Sequence, residues 1–290
     1  MTNYLPEGLL LNTSENKLAA RGLVALTEST RTQKIIEGRA VLCDNAKNLI
    51  VDLGEIKGVI PFEEGVFTLD DAPVRDIALI SRVGKPVCFT VSKIEGNTAI
   101  LSRKKAQRLC YENKISLLGE GDVVDCRVTH LEPFGAFCDI GCGIVSLLPI
   151  DAISVSRISH PSDRFYVTQD IKAVVRQILP DGRICLSHKE LLGTWHENAQ
   201  LFSAGQTVSG IIRSIEEYGI FVELAPNLAG LAERKEGLCE GQAVSVYIKS
   251  INPERLKIKL IIVDSNLEVP PVSPCKYFVS RERISDWIYK

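Results

Sequence analysis

The sequence predicts an all-β fold: three small five-stranded barrels in tandem, with a helix before them and a tail after them. Three observations predict it. Short runs of β-branched and apolar residues are cut by Gly, Pro and Asp turns at the density of a small closed barrel. An aromatic-Gly-apolar-aromatic block occurs twice, as Phe134-Gly135-Ala136-Phe137 and as Tyr218-Gly219-Ile220-Phe221. The barrel pattern itself recurs three times at roughly 85 residues, a spacing that suits arrayed domains rather than solenoid units. The expected divisions are an N-terminal segment and helix at 1–34, a degenerate barrel at 35–112 and a central barrel at 117–192. A linker helix with a third barrel follows at 193–264, and a tail at 265–290.

The first segment begins loosely and then turns helical. Ser14 is a good N-cap with Glu15 in the first turn, and Leu18, Gly22 or Leu23, and Leu26 follow at helical spacing. Such a helix is expected to pack on the first barrel. In that barrel, strands are expected at 40–43, 48–54, 58–61, 86–91 and 99–104.

The central barrel carries the clearest pattern. Residues 123–128 lead into the aromatic block, and 144–148, 171–178 and 183–187 follow, the last two joined by a Pro180-Asp181-Gly182 turn. Side chains alternate across a strand. If the small Cys138 points inward, Phe137 is left on the outer face, and Gly135 permits the bend that one barrel strand needs. An outward aromatic is a stacking platform or a contact with another domain.

Three blocks, Gly121-Asp122-Val123-Val124, Phe134-Gly135-Ala136-Phe137 and Gly182-Arg183-Ile184-Cys185-Leu186-Ser187, resemble in order and spacing the S1-type RNA-binding domain. That family is the oligonucleotide-binding (OB-fold) barrel repeated in bacterial ribosomal protein S1. The resemblance implies an RNA face made of paired aromatics on the second strand, a His on the third and a basic residue opening the fifth. Phe134, Phe137 and Arg183 match it, whereas Pro149 stands at the His position.

The third copy has strands at 208–213, 218–223, 244–248 and 256–260. Tyr218 and Phe221 repeat the aromatic pair, Lys257 takes the place of Arg183, and Glu233 falls at the His position. Alternation puts Lys257 and Lys259 on one face. The first copy differs. Lys47, Ile50 and Thr98 occupy the two aromatic positions and the basic one, so a scaffold or protein-contact role is expected there.

Outside the strands, the loop around Arg157, His160 and Arg164 is rich in polar donors. It either clamps an RNA backbone or is a solvated excursion anchored by Phe165. Trp195 in the linker either stacks a base or seals a domain interface, the commoner task of such a residue. The tail, with Pro270, Pro271 and Pro274, is an extended arm pinned by Trp287 or a mobile end.

Composition bounds the function. The 290 residues have a formal net charge of −2, against the strongly basic balance of many nucleic-acid binders. Base stacking, at roughly 1–3 kcal/mol per base, needs no net positive charge. Nine Cys scattered over apolar positions suit a reducing compartment, so a cytoplasmic protein is expected. No apolar run is long enough to span a membrane, and the N-terminus lacks a signal-peptide pattern. Cys126, His130, Cys138 and Cys142 invite a zinc reading, but strand logic sends Cys126 and Cys138 into the core, so neither metal nor other cofactor is expected. No nucleophile elbow or phosphate-cradling Gly loop is present, so neither an enzyme nor a small-molecule substrate is expected. The resemblance implies single-stranded RNA as partner, with the small ribosomal subunit as a second one and a role in translation. The rivals are a protein-interaction adaptor and an RNA-processing cofactor that hands RNA to a nuclease.

Overall fold

A computed structural model describes residues 4–69, 73–268, 275–279 and 282–289. Three closed barrels are formed. The first contains β1 (Ile36–Cys43), β2 (Leu49–Leu53), β3 (Ile56–Ile60), β4 (Pro86–Glu95) and β5 (Thr98–Ser102). The second contains β6 (Val123–Glu132), β7 (Gly135–Asp139), β8 (Val145–Pro149), β9 (Asp170–Ile178) and β10 (Ile184–Ser187). The third contains β11 (Thr207–Glu216), β12 (Gly219–Ala225), β13 (Leu228–Ala232), β14 (Ala243–Asn252) and β15 (Lys257–Leu267). The sequence locates four of the five strands expected in this last barrel, and the short β13 is the fifth.

Connectivity is the same in all three. Strands one, two and three form an antiparallel meander, strand five pairs in parallel with strand three, and strand four closes the barrel against strand one. The first strand is bulged at one equivalent residue each time: Val41, Thr129 and Arg213. A bulge here sharpens the bend that closure demands. Alternation sorts the rest. Ala136 and Cys138 are buried while Phe137 between them is only half-buried.

Helices differ more from expectation. The single predicted N-terminal helix is two, α1 (Ser14–Ala20) and α2 (Gly22–Thr32), separated by extended Arg21. Thr13 rather than Ser14 is the cap, accepting from the Asn16 amide at 3.2 Å. Leu26 packs into the first barrel's core as expected, but Leu18 is exposed. Two further helices had no forecast: α3 (Asp76–Ile80) and α4 (Arg103–Asn113). α4 matters because Ala106 and Cys110 join the core of the second barrel, together with Ile35 and Cys88 of the first. Barrel one keeps a core of its own, and the core of barrel two reaches into the junction through these residues.

At the same junction lies a buried ion pair. Arg103 donates to Glu7 from Nε at 2.7 Å and from Nη2 at 3.0 Å, both side chains being almost fully buried. The Arg103 guanidinium and nearby Arg82 hold the Glu7 carboxyl below its usual range although burial pushes the other way. Asp139 accepts from the Glu7 amide at 2.7 Å, and burial and the Glu7 charge raise its pKa to about 7.

Barrels two and three are locked in a similar way. Glu223 accepts from Arg164 at 2.5 Å and from Arg213 at 2.7 Å, and Arg213 also reaches Asp163 at 3.2 Å. Asn227 accepts from the Val155 amide at 3.0 Å and donates to the carbonyls of Lys189 and Gly193, each at 2.8 Å. The helix α5 (Trp195–Ala199) opens on a capping box between Thr194 and Glu197, and Trp195 and Phe202 pack against the third core.

The described part of the tail returns to barrel two. The Tyr277 hydroxyl accepts from the Lys172 amide at 2.9 Å, and the Phe278 amide donates to Leu191 at 2.9 Å. The Ile284 amide donates to Gly121 at 2.7 Å, and the Tyr289 hydroxyl to Gly193 at 2.9 Å. Tyr277, Tyr289 and the backbone hold it, with Trp287 half-buried; Pro270, Pro271 and Pro274 lie outside the described residues. No helix among the described residues is long and apolar enough to cross a membrane.

Candidate nucleic-acid interface

Cross-strand register defines one row of outward side chains in each barrel. In barrel two the row is Phe137 on β7, Leu147 on β8 and Cys185 on β10. In barrel three it is Phe221, Leu231 and Lys259; in barrel one it is Ile50, Val59 and Ile100. The three rows are structurally equivalent, so their chemistry can be compared position by position.

Two rows carry the same aromatic device. Phe134, in the turn before β7, is 55% exposed and meets half-buried Phe137 edge-to-face, with centroids 5.9 Å apart at 89°. Tyr218, in the turn before β12, is 69% exposed and meets Phe221 at 6.1 Å and 88°. Edge-to-face packing is a favourable arrangement for two rings, and it holds one ring steady while the other presents its face. The intervening glycine answers to close approach. A Cβ on Gly135 would sit 2.5 Å from the Leu148 carbonyl oxygen, and one on Gly219 2.6 Å from that of Ala232. The third strand presses on the second here, and only glycine fits.

The basic positions sit at the far end of the same outward face. Arg183 stands just before β10, two residues from Cys185, and is exposed with its guanidinium on Asp181 at 2.7 Å. Cys185 lies two strands from Phe137, about 9–10 Å across the sheet, and Arg183 is two residues further along. Lys257 holds the equivalent place before Lys259, and both lysines are exposed. His130 was overlooked as a member of this face. Register puts it beside Phe137, with rings 6.3 Å apart at 30°, and its Nε2 is 2.7 Å from Glu132.

Barrel one has closed the corresponding place. Lys47 is tied to Asp76 at 2.5 Å and lies 5.7 Å over the Phe62 ring, and Ile50 is buried.

The polar loop divides three ways. Arg157 is exposed. His160 caps a short 3-10 turn by accepting from the Ser162 amide at 3.1 Å. Arg164 is placed away from the aromatic face, in the buried ion pair with Glu223. The structure thus groups Phe134, Phe137 and Arg183 on one barrel face and Tyr218, Phe221 and Lys257 on another, and leaves Arg164 to the junction. Trp195 packs into barrel three rather than standing free.

Comparison with known proteins bears on these faces. Residues 117–189 match the family described as S1 RNA binding domain. Small ribosomal subunit protein bS1 of Staphylococcus aureus (strain COL) is 30% identical over 256 residues, covering 82% of this chain and 63% of that one. Small ribosomal subunit protein bS1 homolog of Bacillus subtilis (strain 168) is 30% identical over 264 residues, covering 83% and 66%. The chain thus spans just under two thirds of the length of these relatives. Among solved structures, a multidomain protein with nucleic acid binding domains from Streptococcus pneumoniae aligns over 81% of this chain and 75% of that one. Its identity is 15% and its TM-score 0.28, too low to bear on how the barrels are arranged.

Proposed function

We propose, from the match of residues 117–189 to the S1 RNA binding domain family, that barrels two and three bind single-stranded RNA. The observation that carries the reading is the repetition of one aromatic device at one place in two barrels, 5.9 Å and 89° in one, 6.1 Å and 88° in the other. An exposed ring steadied edge-on by a second suits an unpaired base, whereas bases inside a duplex cannot reach it. Arg183 and Lys257, on the same outward faces, suit the phosphates.

Barrel one acts as scaffold, its equivalent face being occupied by its own Lys47 and Phe62. Likeness to the bS1 proteins supports a role in translation, with mRNA as the strand and the small ribosomal subunit as the second partner. Fluorescence anisotropy with a labelled single-stranded oligonucleotide and with its hairpin tests the reading. The single strand is expected to bind more tightly, with a shallow salt dependence given the net charge of −2. Equal affinity for both, or none for either, would favour the adaptor role instead.

A further inference from the structure

A cleft of about 720 Å3 lies between barrels one and two, beside the aromatic face but distinct from it. Phe67 and Tyr111 line one side, from the barrel-one half, with ring centroids 5.6 Å apart at 48°. Val145 and Arg183 line the other, from barrel two. Arg82 and Arg103 lie at its base.

Among the described residues, the base is short of negative charge. Arg103 is fully engaged, with the Glu7 carboxylate at 2.7 and 3.0 Å and the Gly65 carbonyl at 3.1 Å. Arg82 reaches that same carboxylate only at 3.5 Å, and its buried Nε has no hydrogen-bond partner. Asp139 does not make up the difference. Its oxygens are taken by the amides of Glu7, Gly141 and Gly143, and its raised pKa of about 7 leaves it partly neutral. Among the described residues, two guanidinium groups therefore share one firm carboxylate, and one donor is orphaned. An unpaired buried donor is costly, and a charge-assisted partner is the strongest remedy.

The cleft is also reached from the aromatic face. The outward side chains of β8 are Pro149, Leu147 and Val145; the first lies opposite Gly135, the second opposite Phe137, and the last enters the cleft. That path is about 13 Å long at strand rise. Arg183 stands at its end, on the rim of both sites.

We propose that the cleft is a nucleotide site, in which a phosphate lies against Arg82 with Arg183 at the rim and the attached base lies against Phe67 and Tyr111. The inference rests on the reading that barrel two binds RNA, the nucleotide being the continuation of the strand that crosses Phe137. A free nucleoside monophosphate has the same chemistry and is the other source.

The test uses the full chain and two variants, Arg82→Gln, which removes the charge at the base, and Val145→Trp, which fills the mouth from an exposed strand position. Probes are a uridine dodecamer by anisotropy and UMP by calorimetry, with melting curves to confirm folding. If the strand supplies the nucleotide, each variant weakens the dodecamer about tenfold. Arg82→Gln also lowers the salt slope by about one. A dodecamer carrying 4-thiouridine then crosslinks to Phe67 or Tyr111 in the parent and not in Val145→Trp. If the source is free nucleotide, UMP heat disappears in both variants while the dodecamer is unaffected. Folded variants that bind the dodecamer within twofold, with no UMP heat and no such crosslink in the parent, overturn the proposal. Failure of the underlying RNA reading shows separately, as dodecamer affinity unchanged in Phe137→Ala.

Discussion

Phe137→Ala separates a stacking residue from a packing residue. The ring is outward on β7, half-buried, flanked in sequence by the inward Ala136 and Cys138. Its neighbours are Phe134 at 5.9 Å and His130 at 6.3 Å. Truncation opens no cavity in the barrel core, so the stability lost is chiefly the aromatic pairing, about 0.5–1.5 kcal/mol. Phe165, buried to 1% exposure, is the contrast: Phe165→Ala should cost about 3–5 kcal/mol. In binding the order reverses. Loss of one stacked base should cost about 1–3 kcal/mol, or roughly 5- to 150-fold in Kd. Thermal melting and anisotropy on the same preparations read both quantities. The reasoning is refuted if Phe137→Ala melts as early as Phe165→Ala yet binds the single strand normally when folded.

Four further outcomes are expected. Combining Phe137→Ala with Phe221→Ala should lower RNA affinity beyond either change alone, because two linked sites on one strand gain from effective concentration; the same titration checks it. Lys47→Ala should leave RNA affinity within about twofold by anisotropy, since that side chain is occupied by Asp76 and Phe62. Arg103→Met should leave the buried Glu7 carboxylate with only the longer Arg82 ion pair at 3.5 Å among the described residues and destabilise the protein by about 3–5 kcal/mol in a denaturant melt. His188 should make stability fall in acid: burial lowers its pKa from 6.5 to about 4, so the unfolded chain takes up the proton first. Its contribution is present above pH 6.5 and lost as pH falls towards 4; melting of wild type minus His188→Gln isolates it from Glu37 and Asp139, whose raised values near 7 act in the opposite sense.

What was legible in the sequence depended on how local the signal is. The barrels announced themselves because alternation and turn residues act over a few positions, and the aromatic pairs because each lies within four residues. α4 was hidden for a physical reason. Its buried face includes Arg103 and Gln107, so the helix lacks the apolar stripe that would reveal it, and the charge makes sense only beside Glu7, 96 residues earlier. Arg164 misleads in the same way: it reads as a surface donor in a polar loop, yet its partner Glu223 is 59 residues on. His130 was missed because of the bulge at Thr129. Counting strictly in twos from Val128 does place His130 on the inner face, and the extra residue reverses that.

The long-range pairs that sequence could not show also govern how the faces act together. Glu223 with Arg164 and Arg213, and Glu7 with Arg103, are ion pairs whose side chains are all at or below 9% exposure. Pairs of this kind contribute little net stability against well-packed apolar residues, because desolvating both charges offsets their attraction. They do specify geometry, since a displaced partner leaves a buried charge uncompensated. Barrels two and three are therefore held together by contacts that tolerate few alternatives, unlike beads on a flexible linker. On the proposed reading, a strand that engages both Phe137 and Phe221 would avoid the loss of interdomain freedom that a flexible pair suffers, and preorganisation of this sort strengthens binding without adding a contact. Barrel one, with its outward face filled from within and its helix α4 given to the neighbouring core, serves the same end. On the proposed reading, it braces the face that stacks.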